Sequence, residues 1–323
     1  MKTLVTGGAG FIGSHIVDLL VQKGHQVVIV DNLSTGKKEN INKKAKFYFV
    51  DIREEREVKD IFKKEKPEAV FHLAAQTSTQ ASIREPLFDA QVNVLGTLNL
   101  IESFLELYYK KKKTKGAPRP KFIFTSSGGV LYGEADIFPT PESHPLRPIS
   151  PYGISKLTGE NYLRYYFRSF GLNFISLRYS NVYGPRQDEK GEAGVVAIFT
   201  GRILQGKPCI IYGDGNQTRD YIYVKDVARA NAVFLEKETK NWQEEERFLN
   251  VGIQKETSVN ELYQILSTII KKEVSLVYKP ARQGDVYRSV LDISKIKEAT
   301  GWNPQYPLEK GIKETITWFS NRG

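Results

Sequence analysis

Apolar positions in the first 180 residues fall into two alternating patterns. Short, nearly uninterrupted apolar runs occur at Lys2–Thr6, Gln26–Val30, Phe47–Val50, Ala69–Leu73, Phe122–Thr125 and Phe174–Leu177. Between them, apolar residues recur every three to four positions at Phe11–Lys23, Glu55–Lys64, Gln91–Tyr109 and Tyr152–Ser169. In the first of these stretches Ile12, Ile16, Leu19 and Leu20 share one helical face. Strands apolar on both faces belong in a parallel sheet with helices on both sides. With right-handed crossovers, this alternation predicts an α/β fold, a Rossmann-like doubly wound parallel sheet.

Beyond about Asn181 the pattern loosens and Gly, Pro and Tyr become more frequent. Helices are expected at Lys225–Leu235 and Val259–Ile270, and strands at Phe248–Val251 and Val274–Tyr278. The division this predicts is a larger domain over residues 1–180, with a return of the chain near 222–252, and a smaller C-terminal α/β domain over 181–323.

A chain of 323 residues has room for both. No apolar run approaches the ~18 residues of a membrane span. The N-terminus enters a Gly-rich turn at once, unlike a signal peptide. Cys209 is the single cysteine, which rules out an intrachain disulfide and fits a cytoplasmic location. The net charge of +10 fits either a phosphate-rich partner or a Lys/Glu-rich surface of heat-adapted type. Lysines beside glutamates favour the second. The densest basic run, Lys110 to Lys113 with Lys115, precedes Gly116 and Pro118 and reads as a solvated loop. Basic and aromatic residues do not interleave, so neither a nucleic-acid partner nor a membrane is expected, and no metal centre is read.

Thr6-Gly7-Gly8-Ala9-Gly10-Phe11-Ile12-Gly13 follows the first strand and opens the first helix. Gly8, Gly10 and Gly13 satisfy G-x-G-x-x-G, and Gly7, Gly10 and Gly13 satisfy G-x-x-G-x-x-G. Glycine here permits a tight turn, a close approach to a pyrophosphate and a helix packed against its strand. The helix N-terminus then faces the phosphates. Asp31 closes the second run roughly 20 residues later, where a carboxylate accepts ribose hydroxyls and repels a 2′-phosphate, so NAD is expected over NADP. Residues 1–180 are thereby predicted to be the NAD-binding domain. Asp51 and Ile52, after the next strand, are candidates for the adenine edge.

Tyr152 and Lys156 lie four apart on one helix face, downstream of a strand ending Thr125-Ser126-Ser127. An ammonium beside a phenol lowers its pKa, and a phenolate is a suitable base for a sugar hydroxyl. Together with Val30–Gly36, Phe71–Ala75, Asn93–Leu98, Ser126–Gly133, Arg178–Arg186, Gly213–Val224 and Arg282–Asp285, these residues resemble the extended short-chain dehydrogenase/reductase family. Within it they resemble the UDP-glucose (UDP-galactose) 4-epimerases over almost the whole chain.

The resemblance implies an isomerase that inverts C4 of a UDP-hexose through a transient 4-keto sugar. Tyr152 and Lys156 are then the catalytic pair and also touch the nicotinamide ribose. Gly7, Gly10, Phe11, Ile12, Gly13, Asp31, Asn32, Leu33, Ser34, Thr35, Gly36, Asp51, Ile52, Leu73, Ala74, Ala75 and Asn93 fall at cofactor contacts. Asn181, Arg219, Arg282 and Asp285 fall at contacts to the sugar diphosphate and uridine, with Gly194, Val195 and Tyr212 lining the uridine pocket. Residues 181–323 are accordingly the nucleotide-sugar-binding domain. A homodimer is implied as well, with Leu105, Tyr108, Tyr162 and Tyr166 as candidate interface residues.

One departure from the family pattern, and several positions that separate its members, bear on the reaction. The position that is Ser or Thr in many relatives falls on Gly128, so Ser127, with Ser126 beside it, is the expected source of the third catalytic hydroxyl. The Asp-Glu pair of the 4,6-dehydratases falls on Gly129 and Val130, and the Glu of the uronate decarboxylases has no counterpart. Asn181 stands where uronate 4-epimerases carry Thr, which favours a neutral hexose. Ser289 stands where strict hexose epimerases carry Tyr, which implies room for an N-acetyl group and activity on UDP-GlcNAc. A non-catalytic NAD-binding protein is the remaining alternative; such proteins often lose the Tyr or the Lys, and this chain keeps both.

Overall fold

The computed structural model describes residues 1–109, 120–189, 194–282 and 284–321. The basic run from Lys110 to Lys115 lies outside the described residues. In chain order the strands are β1 (Lys2–Thr6), β2 (Gln26–Asp31), β3 (Lys46–Phe49), β4 (Ala69–His72), β5 (Lys121–Ser127), β6 (Phe174–Tyr179), β7 (Asn181–Tyr183), β8 (Cys209–Tyr212), β9 (Thr218–Tyr223), β10 (Phe248–Val251), β11 (Glu256–Ser258), β12 (Leu276–Lys279) and β13 (Arg288–Ser289).

Seven strands form one sheet in the order β10-β6-β5-β4-β1-β2-β3, every neighbouring pair parallel. The apolar strand pattern explains the layers. Val5, Ile29, Phe71 and Ile123 point to one face and pack with Ile16, Val17 and Leu20 of the helix Phe11–Gln22 and with Phe234 of the helix Val224–Glu236. Their sequence neighbours Leu4, Val28, Val70 and Phe122 point to the other face. There they meet Phe62, Leu100, Phe104 and Leu163 of the helices Glu55–Glu65, Gly96–Tyr108 and Pro151–Phe170. Strand order reverses at β1, which opens a crevice beyond the carboxyl ends of the strands.

Past β6 a smaller mixed sheet gathers around β9, which pairs with β7, β11 and β13, while β8 pairs with β12. Tyr183, Phe199, Tyr221, Tyr223, Leu262 and Ile312 form its core. The chain then crosses back: the helix Val224–Glu236 packs along Phe11–Gln22, and β10 completes the large sheet beside β6. Ile293, Ile296 and Trp302 also join the core under that sheet, so the C-terminal stretch buttresses both parts.

The pattern at Gln91–Tyr109 is two segments, a wide π-helical turn at Gln91–Leu95 followed by the α-helix Gly96–Tyr108. The strand expected at Val274–Tyr278 spans Leu276–Lys279. Leu105 and Tyr166, offered above for an interface between copies, are buried within this chain. The exposed apolar residues of that region include Leu87, Phe88, Leu95, Ile154, Tyr162 and Tyr165.

Candidate active site

A cleft of about 780 Å³ lies at the topological switch and runs from the glycine turn to the smaller sheet. Thr6 ends β1 and the chain turns through Gly7, whose φ of +68° suits only glycine without strain. A side chain at Gly7 would also lie 2.8 Å from the Ala74 nitrogen, and one at Gly13 would collide with the Gly7 carbonyl. The helix therefore starts tight against the turn. Gly10 caps it without a side-chain bond, and Gly7, Gly10, Phe11, Ile12 and Gly13 line the cleft. This is the anion-accepting arrangement predicted for a pyrophosphate.

Asp31 closes β2 at the cleft wall, with Oδ2 accepting from the Ala9 amide at 2.9 Å and Oδ1 from the Leu33 amide at 2.8 Å. Burial raises its pKa, and these two amides oppose the rise. Gly36 does not line the cleft, but a Cβ there would stand 2.8 Å from Asp31 Oδ1, so its smallness makes room for the carboxylate. Leu33 sits in the same turn with φ of +55° and also stays off the cleft surface. Asn32, Ser34, Thr35, Asp51 and Ile52 line it. Asn32 Nδ2 donates to Asp51 Oδ2 at 2.7 Å, and the Arg53 guanidinium holds the Asp51 carboxyl down at about 2. Arg53, whose side chain grips Asp51 at 2.9 Å, also lines the cleft and was not anticipated.

Leu73, Ala74 and Ala75 form the opposite wall, just beyond β4. Asn93 lies behind that wall rather than on it. It is buried, with Oδ1 accepting from the Gln76 amide at 2.9 Å and Nδ2 donating to the Gln76 carbonyl at 2.9 Å and to Ser155 Oγ at 3.2 Å.

Tyr152 and Lys156 occupy the first turns of the helix Pro151–Phe170. Its start is set by Pro151 and by Ser150, whose Oγ accepts from the Gly153 amide at 3.2 Å. Both functional side chains face the cleft. Lys156 Nζ donates to the Thr125 carbonyl at 3.0 Å and stands 5.9 Å from the centre of the Tyr152 ring. Burial lowers the Lys156 pKa to about 8, against the opposing pull of Asp89 and Glu160. For Tyr152 the expected acidification is not what the structure holds. Burial pushes the phenol well up, the Asp89 carboxylate adds to the rise, and a hydrogen bond with Ser127 works the other way. The Lys156 ammonium donates to the Thr125 carbonyl, and desolvation is the largest influence on the phenol.

The Ser127 bond also answers the departure at residue 128. Gly128 faces away from the cleft, and a Cβ on it would meet Leu291 Cδ1 at 2.5 Å. Ser127 and Ser126 line the cleft, and Ser126 Oγ is buried with no hydrogen-bond partner among the described residues. Gly129 lines it too; a Cβ there would meet only Asn181 Oδ1 at 3.7 Å and Ser127 Oγ at 3.9 Å.

At the far end Asn181 of β7, Gly194, Arg219 of β9 and Asp285 line the cleft. Burial raises the Asp285 pKa, and Arg219 and Arg282 pull it down. Arg219 Nη1 donates to the Thr218 carbonyl at 2.8 Å. Arg282 stacks on Tyr212, 3.8 Å from the ring centre, and its hydrogen bond lowers the Tyr212 pKa. Arg282, Tyr212 and Val195 do not line the cleft. Ser289 is buried in β13, in register with Arg219, and does not line it either. Sequence reasoning also missed Thr125 and Ser180 on the cleft wall. Among the described residues no group of His, Cys, Asp or Glu is placed to hold a metal, and no helix is long and apolar enough to cross a membrane.

The model of the family described as GDP-mannose 4,6 dehydratase matches residues 4–315. The chain belongs to the extended short-chain dehydrogenase/reductase family of nucleotide-sugar enzymes. Within that family it is 42% identical over 327 residues to the UDP-glucose 4-epimerase of Mycolicibacterium smegmatis, covering 100% of this chain and 99% of that one. Its fold matches the UDP-glucose 4-epimerase of Thermotoga maritima, solved with UDP-glucose, with a TM-score of 0.92 and 49% identity over 100% of this chain and 99% of that chain. It matches the UDP-glucose 4-epimerase of Thermus thermophilus, solved with NAD, with a TM-score of 0.90 and 41% identity over all of both chains. The dehydratase name of the family model does not carry over to this cleft, because Gly129 and Val130 bring no acid or base to its wall.

Proposed function

We propose that this family member is an isomerase, an NAD-dependent UDP-hexose 4-epimerase that interconverts UDP-glucose and UDP-galactose. The observation that carries the reading is the convergence of Tyr152, Lys156 and Ser127 on one cleft with the glycine turn and Asp31. The fit to NAD rests on this chain's own geometry: a bare helix N-terminus beside Gly7 and Gly13, and a buried carboxylate at Asp31 that disfavours a 2′-phosphate. When bound, NAD supplies the hydride acceptor and donor for C4.

The protein's residues do the rest. Tyr152 takes the 4-hydroxyl proton and later returns it to the 4-keto oxygen, after the sugar has turned so that hydride re-enters the opposite face of C4. Ser127 donates to the phenolate, which favours the ionised form. Lys156 keeps a positive charge against the nicotinamide end and orients the ribose. Asn181, Arg219 and Asp285 hold the nucleotide diphosphate, with Arg282 and Tyr212 at its edge, so the sugar can turn while its handle stays fixed.

The open position at Gly129 on the cleft wall supports some turnover of UDP-GlcNAc as well, while Ser289, buried off the cleft, gives that reading no support. The exposed apolar residues Leu95, Ile154, Tyr162 and Tyr165 support a homodimer, and the Lys/Glu-rich surface supports thermostability. A cytoplasmic location fits the lone, buried Cys209.

The test is absorbance and mass analysis of purified protein for bound NAD, followed by incubation with UDP-galactose without added cofactor and separation of the epimers. Formation of UDP-glucose supports the reading. Protein that binds no NAD under any condition, or binds it and leaves UDP-galactose unchanged, overturns it.

A further inference from the structure

We propose that His72 is a positioning residue that holds the cofactor wall Leu73–Gln76 in place as a neutral imidazole protonated on Nε2. Its ring is buried at the end of β4, between the Phe122 and Phe124 rings. Nδ1 lies 2.8 Å from Thr6 Oγ1 and Nε2 lies 2.9 Å from Thr97 Oγ1. The surrounding bonds fix where the protons are. Thr97 donates its hydroxyl to the Asn93 carbonyl at 2.6 Å, so Thr97 Oγ1 accepts from His72, and Nε2 carries the hydrogen. Thr6 Oγ1 accepts from both the Leu73 and Ala74 amides at 3.1 Å, so its own hydrogen goes to Nδ1. An imidazolium would aim a second N–H at an oxygen already accepting twice. The charges that face the ring oppose it too: burial and Lys156 both hold the His72 pKa well below its usual value.

The path closes on itself. It runs from the Leu73 and Ala74 amides through Thr6, His72 and Thr97 to Asn93, whose amide grips the N–H and the carbonyl of Gln76. Both ends of the wall segment are thus pinned by one buried network. Asn93 Nδ2 also reaches Ser155, whose Oγ donates to the Tyr152 carbonyl at 2.9 Å, so the same network abuts the helix that carries the catalytic pair. Gly7 depends on this placement, because its Cα packs against Ala74 with no room for another atom. His72 does not line the cleft and acts only through the backbone that does.

The inference rests on the NAD reading for its consequence and is tested in two arms. In the first, nitrogen-15 NMR of the histidine rings in the intact protein should show, besides the His15 ring that donates from Nε2 to the Pro185 carbonyl, one ring with protonated Nε2 and bare Nδ1 that does not titrate between pH 5 and 9. That ring should vanish in His72→Phe. In the second, NAD affinity is measured for the wild type, His72→Phe and His72→Asn. Leaving the Thr6 hydroxyl unpaired should weaken NAD binding by about tenfold or more in His72→Phe. His72→Asn restores an acceptor near the Nδ1 position and should recover most of that loss. A His72 ring protonated on Nδ1, a His72 ring that charges in this range, or wild-type affinity in His72→Phe would overturn the proposal. If wild-type protein itself failed to bind NAD, the functional reading would fall while the tautomer result still judged the network.

Discussion

Gly128 and Leu291 are in contact so close that a single added carbon on the glycine would stand 2.5 Å from Leu291 Cδ1. The contact turns residue 128 away from the cleft and leaves Ser127 as the hydroxyl bonded to Tyr152. Restoring the relatives' hydroxyl by Gly128→Ser should therefore destabilise the fold, by about 1–3 kcal/mol from overpacking, with no gain in rate. Ser127→Ala should leave the fold intact and lower kcat by about 10²-fold or more. Urea unfolding and steady-state rates on the two variants check both statements.

Lys156 carries a pH dependence whose sign follows from its shift. Its pKa falls from the usual 10.5 to about 8 in the fold, because burial disfavours the charge. Between those values unfolding takes up a proton, so stability from this group rises with pH through that window. Below pH 8 the full penalty, about 3 kcal/mol, is present. Lys156→Met should thus unfold at higher urea than wild type at pH 7, with the gap narrowing toward pH 10. Activity has the opposite sense: it should decline as pH rises through about 8, where the ammonium is lost.

Asp31 is the expected discriminator between the two nicotinamide dinucleotides. Asp31→Ala removes the carboxylate that would repel a 2′-phosphate, and should weaken NAD while narrowing the preference over NADP by about tenfold or more. The Ala9 and Leu33 amides lose their acceptor at the same time, so some destabilisation accompanies the change. Binding titrations with both dinucleotides measure this.

Arg219 lines the end of the cleft assigned to the diphosphate, away from Tyr152. Arg219→Ala should raise KM for the UDP-sugar by about tenfold or more and change kcat little, the pattern of a uniform binding contact. A collapse of kcat at unchanged KM would move Arg219 into the chemical step.

The parts legible in the sequence were the local ones. The glycine turn, Asp31 and the Tyr152–Lys156 spacing each declare themselves within a few residues of chain, and the seven-stranded sheet follows from apolar runs, buried on both faces in its central strands. What needed coordinates was set by distant contacts. Nothing near Gly128 announces Leu291. The strand β9 reads as polar because it carries Thr218, Arg219 and Asp220, yet Asp220 is buried and accepts from the Ile253 and Gln254 amides. The phenol of Tyr152 is likewise dominated by burial, which no spacing rule reports.

In the proposed reaction C4 of the hexose gives up its hydrogen as hydride and receives the same hydrogen back, while Tyr152 handles only the hydroxyl proton. UDP-galactose deuterated at C4 tests it most directly, with the product UDP-glucose examined by mass spectrometry and proton NMR in ordinary water. The deuterium should remain at C4 in the inverted product, and Tyr152→Phe should retain NAD but form almost none of it. Loss of the deuterium to solvent during inversion would contradict it.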